Sequence, residues 1–305
     1  MDEFALIKHY FRRAADAAAA GVVLGPGDDG ALLQPPPGEQ LVMTLDTSLA
    51  GVHFPEDLPA REIGYRCLAV NLSDLAAMGA RPLWFLLSLT LPRTDEDWLA
   101  AFSAGLYALA DDAGIALVGG DMTRGPLAIA IQATGAVAPG RALRRDGALP
   151  GQTIAVTGVP GRGALGLRHW RAGRRDSAAA RHFARPEPAL SWPGKLAGAG
   201  AVIDVSDGLL QDLGHLLHAS GDLGAEIDIA ALPTDEELNE LDAEQRLALQ
   251  LGGGDDYVLL FTWPDGRPLP AGAHAIGRVS GPGPVRLRAE DGTLRTPPEA
   301  GWRHF

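Results

Sequence analysis

Apolar positions recur along the chain at two spacings, one helical and one strand-like. Phe4, Ile7, Tyr10 and Phe11 stand at helical spacing and predict an amphipathic helix over 3–20. The run 41–49 reads as a strand. Over 61–78 the helical spacing returns, with Gly79 as its stop. Residues 83–91 are apolar almost throughout, the mark of a buried strand. Thr94-Asp95-Glu96-Asp97 then offers an N-cap and acids suited to a helix start. Trp98, Phe102, Leu106 and Leu109 share a face of that helix, and Gly114 ends it. A short strand over 115–118 runs into Gly119-Gly120-Asp121, and a longer strand covers 127–137.

This alternation of strand and helix is that of an α/β domain over 1–138. Residues 139–150, with Pro139, Pro150, Arg141, Arg144 and Arg145, read as a linker. A second α/β domain over 151–305 begins with a strand at 153–159 and goes strand, turn, helix over 201–220. Further strands are expected at 225–229, 257–262, 275–279 and 285–288. The segment 161–188 stands apart: Arg162, Arg168, Arg171, Arg174, Arg175, Arg181 and Arg185 face only Asp176 and Glu187. It reads either as a solvated helix and loop or as a basic flap over phosphates.

With 305 residues and a hydrophobic share of 46%, the chain can bury the cores of two globular domains. Its net charge of −12 argues against non-specific binding to nucleic acid or to an anionic membrane. Lys8 and Lys195 are the only lysines, so the basic groups are almost all arginine, a choice compatible with phosphate recognition. Cys67 is the single cysteine, which excludes an intrachain disulfide and a cysteine-based zinc site. The start, Met1-Asp2-Glu3-Phe4, has neither a basic nor an apolar leader region, and no apolar run is long enough to span a bilayer. The expected location is the cytoplasm.

Six short aspartate motifs run through the chain. They are Gly27-Asp28-Asp29-Gly30, Thr44-Leu45-Asp46-Thr47, Asn71-Leu72-Ser73-Asp74, Gly119-Gly120-Asp121, Asp204-Val205-Ser206-Asp207-Gly208 and Gly253-Gly254-Asp255-Asp256-Tyr257. Taken singly, each is compatible with an Asx-turn or a helix cap. Asp46 is more telling, because a carboxylate in an apolar strand pays desolvation unless it is paired or bound to a cation. Asp204 follows an apolar run at a strand end, where α/β proteins place ligands. Ser206 and Asp207 could cap the next helix, and the backbone N–H groups there could receive a phosphate. Hard cations such as Mg²⁺ take oxygen ligands, and together the motifs supply them. P-loop, protein-kinase, Gly-x-Ser-x-Gly, His-Glu-x-x-His and Cys-x-x-Cys signatures are all absent.

The motifs, with Gly51-Val52-His53-Phe54, the long block from Asn71 through Ala76-Ala77-Met78-Gly79-Ala80, and Met122-Thr123-Arg124-Gly125, stand in an order that is recognisable. The chain resembles the thiamine-monophosphate kinase family, in the superfamily of aminoimidazole ribonucleotide synthetase. The likeness runs to Gly301-Trp302-Arg303-His304-Phe305. It implies a two-domain α/β (α+β) fold, with an N-terminal mixed-sheet domain that pairs with its copy in a homodimer and a C-terminal α/β domain. It also implies ATP, several Mg²⁺ ions and phosphorylation of thiamine monophosphate to the diphosphate, with neither nucleic acid nor membrane as partner.

Residue by residue, the resemblance makes Asp29, Thr44, Asp46, Asp74, Asp121, Asp204 and Asp207 the magnesium shell. Gly120, Asp121, Arg145 and Ser206 would hold ATP; His53, Asp255 and Trp302 would hold the thiamine substrate. No general base is assigned, since the nucleophile is an ionised phosphate oxygen and the task is to bring two polyanions together. Carboxylates from both halves place the expected active site in a cleft between the domains. Two positions depart from the family pattern: Leu45 stands where relatives often carry a hydroxyl, and Asp255 where they carry Glu. Rivals are other enzymes of the superfamily, such as a selenophosphate synthetase, a hydrogenase-maturation enzyme or a purine-pathway cyclo-ligase. The first is disfavoured by the lack of a reactive cysteine near the N-terminus. A non-catalytic Mg²⁺- or Ca²⁺-binding module is a rival of another class, but there is no EF-hand loop or acidic repeat.

Overall fold

A computed structural model describes residues 3–298 and 301. The chain divides into two compact units, one of Met1–Leu75 with Ala80–Ala142, the other of Ala76–Gly79 with Leu143–Phe305.

The first unit opens with α1 (Glu3–Tyr10) and α2 (Ala14–Ala17), followed by the short strands β1 (Val22–Leu24) and β2 (Leu32–Leu33). The single helix expected over 3–20 is therefore broken. Arg13 at the break is extended (φ −112°, ψ 146°) and its guanidinium binds both Asp16 and Asp111, at 3.0 and 2.9 Å. The long-range ion pair with Asp111 takes the arginine out of the helical register that its neighbours would favour.

Then come β3 (Gln40–Leu49), α3 (Ala60–Ala77), β4 (Arg81–Leu91), α4 (Glu96–Ala113), β5 (Ala116–Arg124) and β6 (Ala128–Val137). The order of the sheet is β3-β6-β4-β5, with only β4 and β5 parallel among its pairs. Asp95 caps α4 by accepting the N–H of Trp98, and Gly114 closes it at φ 66°. α3 and α4 touch backbone to backbone: a Cβ on Gly105 would lie 1.8 Å from the carbonyl oxygen of Arg61. β5 is longer than the strand expected over 115–118, because pairing with β4 carries it through Gly119-Gly120-Asp121.

The second unit holds β7 (Thr153–Val156), α5 (Arg162–Arg171), α6 (Ala178–Ala184), β8 (Val202–Asp204), α7 (Leu209–Ala219) and β9 (Leu223–Asp228). Next are α8 (Glu236–Asn239), α9 (Ala243–Gly252), β10 (Leu259–Trp263), β11 (His274–Pro282), β12 (Val285–Arg288) and β13 (Leu294–Arg295). Among the described residues its strands form one sheet in the order β13-β12-β9-β11-β7-β10-β8, with β9 and β12 parallel. One face carries a core of Ile154, Val156, Ile203, Leu213, Leu216, Leu217, Ile227 and Leu260, with α7 and α9 contributing to it. The other buries Phe261, Trp263, Leu196 and Leu259. α8 and α9 had not been expected; both start at an aspartate, Asp235 and Asp242, that caps its helix by accepting a backbone N–H.

The arginine-rich segment is α5, α6 and the turn joining them. Arg162 pairs with Asp235 at 3.2 Å and Arg174 with Glu240 at 3.5 Å. Arg175 lies over the ring of Trp170, and Glu237 accepts the Ala178 and Ala179 N–H groups at the start of α6. These contacts anchor α5 and α6 within their own unit, where Leu165, Ala180 and Phe183 are buried.

Candidate active site

The alternation of β3 sorts its side chains. Leu41, Met43, Leu45 and Leu49 are 42%, 65%, 64% and 38% exposed, while Thr44, Asp46 and Ser48 share the opposite, more covered face. α3 lays Asp74 against that face. Thr44 Oγ1 donates a hydrogen bond to Asp74 Oδ2, and the Asp46 and Asp74 carboxyls share another. Burial, then the charge of Asp74 and the bond to it, push the Asp46 carboxyl up to about 7. Farther along the same seam lies Cys67, whose thiol is pushed up to about 11 by burial. A thiol so buried and so weakly acidic is part of the core and not a nucleophile.

A cavity of about 920 Å³ in the same unit is lined by Asp28, Asp29, Gly119, Gly120 and Asp121, with Leu41, Met43, Leu86, Gln132 and Thr134. Gly120 is required there: its φ is 155° and a Cβ would lie 1.9 Å from the carbonyl oxygen of Leu87. Asp29 and Asp121 thus face one space, but Asp46 and Asp121 do not. Asp121 pairs across the sheet through Ser88 and Ala130 with Thr47, whereas Asp46 is in the row of Ile131, Leu87 and Gly120. Successive rows project to opposite faces. Among the described residues no three His, Cys, Asp or Glu side chains stand together as a metal-holding group.

His53 sits in a tight turn after β3. Its Nδ1 accepts the Leu49 N–H at 3.0 Å and its own N–H donates to the Leu49 carbonyl at 2.9 Å. The first bond fixes Nε2 as the protonated nitrogen of the neutral ring.

In the second unit, buried Asp204 ends β8, and Ser206 and Asp207 follow in the turn to α7, with Asp207 accepting from Gln211 Nε2 at 3.0 Å. Neither Ser206 nor Asp207 caps the helix, and the N–H groups of Ser206, Asp207 and Gly208 do not await a phosphate. All of them donate to Asp212 Oδ2, each at 3.1 Å. The anion at this helix start is the chain's own carboxylate. Burial, and next the charge of Asp207, push the Asp212 carboxyl up to about 7, against the pull of those N–H donors. Sequence reasoning missed Asp212, for which the available signal was an acid in the first turn of a helix.

Arg145 has an exposed side chain, and its carbonyl accepts from Ser220 Oγ at 3.1 Å. Asp255 is half-buried, and its Oδ1 accepts from the Tyr257 hydroxyl at 2.8 Å. Fully buried Asp256, between them in sequence, accepts the Gly161 and Gly163 N–H groups at 2.6 and 2.7 Å. Burial pushes its carboxyl up to about 8 even so. Trp302 lies outside the described residues.

Residues 27–137 match the family described as "AIR synthase related protein, N-terminal domain". The thiamine-monophosphate kinase of Salmonella typhimurium is 46% identical over 272 residues, 86% of this chain and 83% of that protein. The chain belongs to the thiamine-monophosphate kinase family. The crystal structure of thiamine-monophosphate kinase from Stenotrophomonas maltophilia K279a is 43% identical and superposes with a TM-score of 0.86, covering 97% of this chain and 98% of that one. AaThiL complexed with AMPPCP and TMP is 29% identical, with a TM-score of 0.81 over 99% of this chain and 97% of that one. Membership fits the two-unit α/β architecture with its mixed sheets. Among the described residues no helix is long and apolar enough to cross a membrane.

Proposed function

We propose that this protein is a thiamine-phosphate kinase, transferring the γ-phosphoryl group of ATP to thiamine monophosphate and yielding thiamine diphosphate. The observation that carries the reading is the likeness over almost the full length of both chains to AaThiL complexed with AMPPCP and TMP, joined to 46% identity with a thiamine-monophosphate kinase.

The Asp46–Asp74 pair fits a divalent cation: Asp46, partly withdrawn from water and hydrogen-bonded to a second carboxyl, has a raised proton affinity, and a cation can take the place of that proton. Thr44, Asp46 and Asp74 hold Mg²⁺ in this reading, as do Asp29 and Asp121 in the N-terminal domain and Asp204 and Asp207 in the C-terminal one. These residues would hold the metal, which when bound would supply charge neutralisation to the phosphates. Gly120, which lines the cavity beside Asp121, holds ATP with Asp121, Arg145 and Ser206. The guanidinium of Arg145 supplies charge to the phosphates. His53, Asp255 and Trp302 hold the thiamine substrate, with the Nε2–H of His53 as a donor. The attacking phosphate oxygen is already ionised near neutral pH, so transfer rests on position and charge. An ATP-dependent enzyme with one buried thiol suits the cytoplasm.

The exposed apolar row Leu41, Met43, Leu45 and Leu49 on one sheet face supports pairing of the N-terminal domain with a second copy. The decisive assay is a panel of thiamine monophosphate, free thiamine and aminoimidazole precursors with ATP and Mg²⁺. Thiamine monophosphate alone is expected to turn over; turnover of free thiamine but not of its phosphate overturns the reading.

A further inference from the structure

Among the described residues, Asp222, Asp255 and Tyr257 are the non-glycine residues with positive φ. Asp222 follows the end of α7, but the other two stand in one loop, at 66° and 52°. Left-handed backbone at side-chain-bearing residues is strained and persists only where surrounding contacts enforce it. Here they do. The Asp255 N–H donates to the Ser206 carbonyl at 2.9 Å, and the Tyr257 N–H to the Val205 carbonyl at 2.8 Å. Asp256 is clamped to the start of α5 by the Gly161 and Gly163 N–H groups. The neighbouring backbones are too close for side chains: a Cβ on Gly254 would lie 2.4 Å from the Ser206 carbonyl oxygen, and one on Gly163 would lie 2.3 Å from that of Asp255.

One consequence of the strained turn is that residues 255 and 257 meet side chain to side chain. The Tyr257 ring is buried while its hydroxyl reaches Asp255 Oδ1 at 2.8 Å. We infer that Tyr257 is a positioning residue for the thiamine-phosphate substrate. Its hydroxyl fixes the rotamer of Asp255 and so the direction in which that carboxylate offers its second oxygen to a donor on the substrate. Asp256 holds the loop in the conformation that makes the contact. The inference rests on the proposed role of Asp255 as a substrate contact.

The test is a double-mutant cycle on the full chain, with KM for thiamine monophosphate and for ATP and kcat measured for Asp255→Ala, Tyr257→Phe and the double variant. Phenylalanine keeps the buried ring, so Tyr257→Phe is expected to stay folded by circular dichroism. Asp255→Ala should raise KM for thiamine monophosphate about tenfold or more, and Tyr257→Phe about five- to tenfold, with KM for ATP and kcat within about twofold. The double variant should be no worse than Asp255→Ala, because the hydroxyl acts only through the carboxylate. If Asp255→Ala leaves that KM unchanged, the substrate reading of Asp255 fails and the inference with it. An effect of Asp255→Ala without one of Tyr257→Phe overturns the inference alone. So does a Tyr257→Phe effect that adds to that of Asp255→Ala, or one that falls equally on ATP.

Discussion

Asp46 shows how much one side chain reveals. A carboxylate within an apolar strand had to have a reason, and its partner proved to be Asp74, twenty-eight residues on through α3. The ordinary value of 3.8 rises to about 7 in the fold. Between those values the native state keeps a proton that the unfolded chain has released, so the stability from this group is full at acid pH and is lost as pH rises through 7. A divalent cation competes with that proton. The rise in melting temperature on adding Mg²⁺ should therefore grow from pH 6 to pH 8, and Asp46→Asn should flatten the growth. An equal Mg²⁺ shift in the variant at both pH values would count against a cation at this pair. Asp46→Asn or Asp121→Asn is also expected to abolish ATP-dependent formation of thiamine diphosphate while leaving the far-ultraviolet circular dichroism unchanged; full activity in either removes that residue from the magnesium assignment.

At the scale of elements, α4 was legible because period, cap and stop agree, α3 because helical spacing ends at Gly79, and β3 and β6 because their apolar runs have strand length. The first helix was misread because Arg13 answers to Asp111, ninety-eight residues away, and no local period records that. α8 and α9 were missed because short charged helices show little apolar period, although Asp235 and Asp242 carry the cap signal. The turn before α7 was half legible: its aspartates stood out, but not that Asp212 would gather their N–H groups. Asp212→Ala leaves those donors without their acceptor and should cost about 2–3 kcal/mol, read as a lower urea midpoint. The α3–α4 contact is as sensitive. Gly105→Ala drives a methyl into the Arg61 carbonyl and should destabilise by about 1–3 kcal/mol in thermal unfolding; an unchanged melting temperature would mean the helices are not so close.

At the scale of the molecule, a net charge of −12 leaves little for a polyanion to bind except through cations and a few arginines. That is consistent with a family whose ligands are phosphates. The apolar sheet face belongs to this scale too. Leu45→Asp puts a charge in the middle of it without touching the covered face of β3. The unaltered protein is expected to elute with light scattering at twice the chain mass of 31.9 kDa, and the variant at the single mass. A monomer in both cases rejects pairing through this face.

The order of the aspartate motifs, the alternation that separates Asp46 from Leu45, and the caps and stops of the longer helices were present in the sequence itself. Each depends on residues within a few positions of one another, where period and turn chemistry act. Which carboxylates meet was decided only by the tertiary structure. Asp74 reaches Asp46 because α3 packs on β3, Asp121 is turned from Asp46 by strand register, and Asp256 is met by the start of α5. Burial and hydrogen bonding between distant segments set these partners, and with them the proton affinities and the strained loop at Asp255.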